Sequence, residues 1–186
     1  MTKIDDRLKH AILMMHPAEK DKLLLKLIAK DYTLVEKLQY QLLENSHYDL
    51  EKRRATIIEE IEEMVEYRHD TPGLLMMSMR AINGDISRHV KTTSDKIGEV
   101  LLTLTLVNKV FANERNYKLI HSRNADTFFE YVAKKIEFIL AKVVKLNKDD
   151  AEEFVNDINL LLNYMHNSSV GKLYAKDYKI PTKFSL

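Results

Sequence analysis

Three features of the sequence predict an all-α fold. Apolar residues recur at three- and four-residue spacing along most of the chain. Only four Gly and three Pro occur among 186 residues, too few turn formers for a many-stranded sheet. The one alternating run, Leu102 to Leu106, has no second strand to pair with. With 45% hydrophobic and 31% charged residues, the chain is able to bury a core. We expect about eight helices in antiparallel hairpins, as a helical bundle or a short α-solenoid-like stack. Residues 1–168 are expected to form a single all-α domain and 169–186 an extended C-terminal tail.

The elements follow in order. Ile4, Leu8, Ala11, Ile12 and Met15 give the first helix, which Pro17 ends. Leu23, Leu24, Leu27 and Ile28 make the apolar face of the second, over 18–30. Thr33 and Glu36 have capping-box spacing and open a third helix that runs to Glu44. After the break at Asn45-Ser46-His47, a long fourth helix spans 49–69. Its apolar stripe is narrow (Leu50, Ile57, Ile58, Ile61, Met64, Val65) and its other faces are charged. Arg53 and Arg54 near its start oppose the helix dipole, and local reasoning gives no account of them.

Asp70-Thr71-Pro72-Gly73 is a turn. The fifth helix starts near Leu74, and Thr92 with Asp95, again at capping-box spacing, predicts a break at 92–94. The sixth helix then runs to Asn113, and Arg115–Asn124 is a polar connection. A seventh helix over 125–146 turns Phe128, Val132, Ile136, Ile139, Leu140 and Val143 inward. Asn147 with Asp150 caps the eighth, which carries Phe154, Ile158, Leu161, Leu162 and Met165.

The stretch DKLLLKLIAKDYTLVEKLQYQLLE, residues 21–44, resembles one helical hairpin of the HEAT and armadillo repeat proteins. The resemblance implies stacked helical pairs. It covers that segment alone, and no second copy recurs at a period of about 40 residues.

Composition also narrows function. There is no Cys, hence no disulfide framework, thiolate metal site or cysteine nucleophile, which suits a reducing compartment. The N-terminal run is broken by charges, and no segment approaches the roughly 20 apolar residues of a membrane span. We expect a cytoplasmic protein with no membrane partner. The net charge of +1 is uneven. Residues 1–70 carry 12 Lys+Arg against 15 Asp+Glu, 71–124 carry 8 against 4, and 125–186 carry 9 against 9. The middle is the only basic segment.

That segment holds the candidate binding residues. Arg80, Asn83, Arg88, His89 and Lys96 gather within an apolar helical pattern, where cations and amides can hold phosphate or carboxylate. Gly84 and Gly98 in the same stretch point to close approach of a helix or a ligand, because Gly costs about 1 kcal/mol inside a helix.

Two enzyme readings compete. His47, His69, Asp70 and Asp126 resemble the ligand order of HD-type metal-dependent phosphohydrolases, which implies a metal-bound hydroxide. Glu59/Glu62 and Glu60/Glu63 resemble the ExxE pairs with which all-α nucleotide pyrophosphohydrolases gather magnesium, but no second ExxD pair follows. No GxSxG and no Gly-rich phosphate loop is present. The sequence thus favours a non-enzymatic interaction or scaffold module with a basic polar central surface. It expects a protein partner, a second copy of the chain included, and neither metal nor cofactor. A metal-dependent phosphohydrolase or nucleotide-processing enzyme and a weak nucleic-acid binder are the alternatives; catalytic residues are not identified.

Overall fold

The computed structural model describes residues 4–44, 46–121 and 125–186. The break expected at Asn45, and the end of the 115–124 connection, lie in part outside these. All regular structure among the described residues is helical, in eleven α-helices rather than the eight expected. The three additional helices arise in a turn of helix within the 115–124 connection, in a split of the eighth helix at Phe154, and in the C-terminal segment. The chain divides into two compact units, Met1–Asn45 and Ser46–Leu186.

The first unit comprises α1 (Asp6–Met14), α2 (Pro17–Ile28) and α3 (Tyr32–Gln39), then a π-helical turn, Tyr40–Glu44. Pro17 opens α2, with the His16 ring accepting the Ala18 N–H at 3.3 Å. Asp31, not Thr33, caps α3: its carboxylate accepts the Leu34 N–H at 3.1 Å. None of the three α-helices buries a residue completely, and Tyr40 is the only buried side chain among the unit's described residues.

The second unit holds α4 (His47–Glu66), α5 (Pro72–Thr93), α6 (Lys96–Ala112), α7 (Glu114–Ile120), α8 (Asp126–Val143), α9 (Lys148–Glu153), α10 (Val155–Asn167) and α11 (Ser169–Asp177). It carries the core. α6 packs against α4, α5, α7, α8 and α10. Its buried residues, Gly98, Val100, Leu102, Thr103, Leu104, Leu106, Val107, Val110 and Phe111, cover most of the circumference of the helix, leaving the stripe of Ile97, Leu101, Thr105, Asn108 and Lys109 half-buried. This explains the alternating run: Leu102–Leu106 is apolar because the helix is enclosed, not because it is a strand. Phe111, Phe128 and Phe129 meet edge-on or tilted at centroid distances of 5.5–6.2 Å, and Tyr164 stacks on Phe111 at 5.1 Å.

At several helix ends the orphan polar groups are satisfied by side chains. Thr71 caps α5 through the Leu74 N–H, and Asn147 caps α9 through the Asp150 N–H at 2.9 Å. At the C-terminus of α4 the amide of buried Asn116 donates to the Val65 carbonyl, and Arg115 donates to that of Glu66, both at 3.0 Å. Ser168 caps α11, so residues 169–177, expected to be extended, form a helix. Only beyond it does the chain run irregularly along α10. There the Asn159 side chain accepts from the Phe184 N–H at 2.8 Å and donates to its carbonyl at 3.0 Å.

Candidate functional site

The α5–α6 junction is where the polar residues of the middle segment are organised. α5 ends at Thr93, within the break expected at 92–94, and Ser94 takes the left-handed conformation (φ 62°). Asp95 then caps α6, its Oδ1 accepting the Gly98 N–H at 2.8 Å. The same carboxylate accepts a forked pair from Arg54 of α4, Nε to Oδ2 and Nη2 to Oδ1, each at 2.7 Å. His89 Nε2 lies 3.0 Å from Oδ2. A carboxylate only accepts, so His89 carries its proton on Nε2. Burial alone would push the Asp95 carboxyl up; the bonds from His89, Arg54 and the Gly98 N–H outweigh it and hold the group well below the usual carboxylate range.

Gly98 is required there, since a Cβ would overlap Asp95 Oδ2 and lie 2.6 Å from its Cγ and 2.9 Å from Arg54 Nε. Gly84 differs: a Cβ there would meet nothing within 4 Å, so close approach is not its reason. The side chains of Asp95 and His89 are each 3% exposed, and Arg54 is 13% exposed. This network joins α4, α5 and α6 and offers little surface to a ligand.

The predicted residues therefore separate. His89 belongs to the sealed junction. Arg88 pairs with Asp85 on its own helix at 2.9 Å. Lys96 is exposed at the start of α6. Arg80 and Asn83 instead face α8. The Arg80 guanidinium lies 5.6 Å from the Tyr131 ring centroid, and Lys135 donates to the Asn83 side-chain oxygen. Lys135 Nζ sits 5.5 Å from the Tyr131 and Phe138 rings alike, and Lys142 Nζ lies 5.0 Å from Phe138. The result is a strip of three cations on two aromatic rings. Glu99, bonded to Lys142 at 2.7 Å, is its counter-charge. Burial lowers the Lys135 pKa, Glu99 acting the other way, and burial pushes Tyr131 up to about 12. The Tyr131 hydroxyl is buried without a hydrogen bond.

The enzyme motifs do not assemble in this geometry. His47 is the first residue of the 20-residue α4 and His69 follows its end, so the length of the helix separates them by about 30 Å. Asp70 is exposed and lies 3.6 Å from Arg68, while Asp126 lies 3.4 Å from the Tyr174 hydroxyl. His69 faces Ser78 at 3.1 Å in a cleft of about 410 Å³, with no group bonded to its other ring nitrogen to orient it as a base. Of the glutamates, Glu62 holds Lys109 at 2.6 Å and Glu66 holds Asn113 at 3.1 Å. No three His, Asp or Glu among the described residues are grouped to hold a metal ion.

Sequence reasoning passed over Arg54, Asp95, Tyr131, Lys135 and Lys142 as site residues. Arg54 had left a trace in its unfavourable place near the start of α4; its partner lies 41 residues away. Lys135 and Lys142 share an edge of α8 at i, i+7 spacing with Phe138 between them, but their meeting with Arg80 and Asn83 depends on how α5 packs against α8. No family model, curated protein or solved structure matches the chain.

Proposed function

We propose that the protein is a non-enzymatic helical interaction module that takes an acidic segment of a partner protein along the α5–α8 strip. The observation that carries this reading is the seating of Arg80, Lys135 and Lys142 on Tyr131 and Phe138. Aromatic residues and arginine are the types that dominate binding energy at protein interfaces. The partial desolvation of Lys135 is a cost that an incoming carboxylate offsets. Three cations and a net charge of +1 fall short of the six to ten phosphate contacts of a typical DNA-binding surface, which favours protein over nucleic acid. A reading of the second unit as a bundle around α6, not a solenoid, is supported by the α6–α10 and α4–α6 contacts, which join elements that are not sequential neighbours. We retain the cytoplasm as its compartment on the absence of cysteine.

Fluorescence anisotropy of the full-length chain with a labelled Glu-rich peptide tests the reading. Binding is expected to weaken on raising salt, and Lys135→Gln or Arg80→Gln is expected to weaken it about tenfold, the scale of one lost charge-assisted contact. No peptide binding, or tighter binding of single-stranded RNA or duplex DNA of matched charge, overturns it.

A further inference from the structure

The outer face of α4 carries charge that its own helix does not balance. No Lys or Arg follows Arg54 along it, while Glu59, Glu62, Glu63 and Glu66 are exposed on one side. Glu63 and Glu66 stand in the last turn, at the negative end of the helix dipole, where acidic residues are unfavourable. Lys109 of α6 meets Glu62, and the Glu66 carboxylate accepts from the neutral Asn113 amide. Glu59 and Glu63 have no ion pair among the described residues. We infer that this acidic face docks on the α5–α8 strip of a second copy of this chain, head to tail. The inference rests on the reading of the strip given above and names its occupant.

Spacing and charge both point to that occupant. Lys135 and Lys142 are seven residues apart on α8, and Glu59 and Glu66 are seven apart on α4, so each pair spans about 10.5 Å along its helix. Two such helices laid side by side bring both pairs into register. Lys135 bonds to the Asn83 amide and, among the described residues, to no carboxylate. The acids near the strip are engaged already: Glu99 with Lys142, Glu130 with Lys134, and Asp85 with Arg88. Glu137, two residues from Lys135, lies on another side of α8. Gly84 and Ser87, one and two turns on from Arg80, are small and exposed, and Gly84 faces open space, so a partner helix can come close.

Within one molecule the two faces stay apart, since α5 and α6 each pack against both α4 and α8. A chain of net charge +1 with separated poles of opposite sign has little self-repulsion to oppose stacking. The contact joins two different surfaces and is therefore heterologous: copies close into a ring or run on as a filament.

The test is sedimentation velocity and light scattering of the full-length protein in low salt over a concentration series. Mass is expected to rise with concentration and to fall back toward one chain in about 0.5 M salt. Glu59→Lys with Glu63→Lys leaves the strip intact, and Arg80→Glu with Lys135→Gln leaves α4 intact. Each double variant is expected to weaken association at least about tenfold, circular dichroism checking that helix content is kept. Mixed together, the two retain one compatible contact and are expected to form a 1:1 complex that grows no further. Neither a symmetric dimer nor non-specific aggregation behaves in that way. A parent chain monomeric at about 100 µM, association that survives either variant, or a mixture without the 1:1 complex overturns the inference. Binding of the Glu-rich peptide to the Glu59→Lys/Glu63→Lys variant separates the two readings. Peptide binding without self-association of the parent overturns this inference and leaves the assignment of the strip standing. Loss of peptide binding overturns the reading of the strip, and this inference with it.

Discussion

Replacing Asp95 by Asn probes the junction with little change of shape. The wild-type carboxylate accepts four hydrogen bonds: two from Arg54, one from His89 and one from the Gly98 N–H. An asparagine oxygen keeps the cap, because Asn is as good an N-cap as Asp. Its NH2 group, however, faces a donor, and Arg54, largely buried, loses its main counter-ion. Removing one partner of a buried pair costs about 3–5 kcal/mol. Arg54 keeps Glu51 at 2.7 Å, which is 46% exposed and so only a partial substitute. We therefore expect a loss of about 2–4 kcal/mol. At about 2–4 °C per kcal/mol for a domain of this size, the melting temperature falls by roughly 5–15 °C.

Urea titrations of both proteins, with the m-value checked for constancy, give the difference directly. Its pH dependence has a definite sign. The Asp95 pKa is depressed in the folded state, so its contribution is fully present above the unfolded value of about 3.9 and is lost as pH falls below it. The gap between wild type and Asp95→Asn is then constant above about pH 5 and closes in acid. A variant within about 0.5 kcal/mol of wild type at pH 7 would falsify the assignment of the junction as a stabilising tie.

Two further substitutions act on the same logic of burial. Gly98→Ala, normally favourable in a helix, is expected to cost at least about 2 kcal/mol because the methyl group displaces the Asp95 carboxylate; calorimetry showing a stabilised variant refutes this. Tyr131→Phe removes a buried hydroxyl that has no partner, so chemical denaturation should find the variant equal to wild type or up to about 1 kcal/mol more stable. A loss above that scale would mean that the hydroxyl is bonded.

Element type was legible wherever one face of a helix is buried, because burial writes a 3.6-residue period into the sequence. α4, α5, α8 and α10 show it. Short helices did not show it: α7 and α9 carry six or seven residues each, less than two turns. In the last segment, Gly171 and the spaced tyrosines hid a helix whose inward residues are small. Gly171 is held against the carbonyl of Met165, which a Cβ would overlap. Cap spacing alone was ambiguous. Thr92–Asp95 and Thr33–Glu36 both read as boxes, yet the capping side chains are Asp95 and Asp31. Site residues were least legible, since Arg54 meets Asp95, and Lys135 meets Asn83, only through tertiary packing. The candidate set mixed both destinations: His89 faces inward to a carboxylate, while Arg80 faces outward over a ring.

The enclosure of α6 bears on how the protein is made. When a ribosome has extruded α4, α5 and α6, the helix has partners on one side and bare leucine on the other. The side that α8 and α10 will cover waits for some fifty more residues, which at about 5–20 residues per second is several seconds of exposure. The nascent chain is therefore most prone to aggregation, and most dependent on a chaperone, in that interval. For the same reason the second unit cannot be divided between α7 and α8 without losing both halves, whereas a cut or an insertion after α11 leaves the central helix covered.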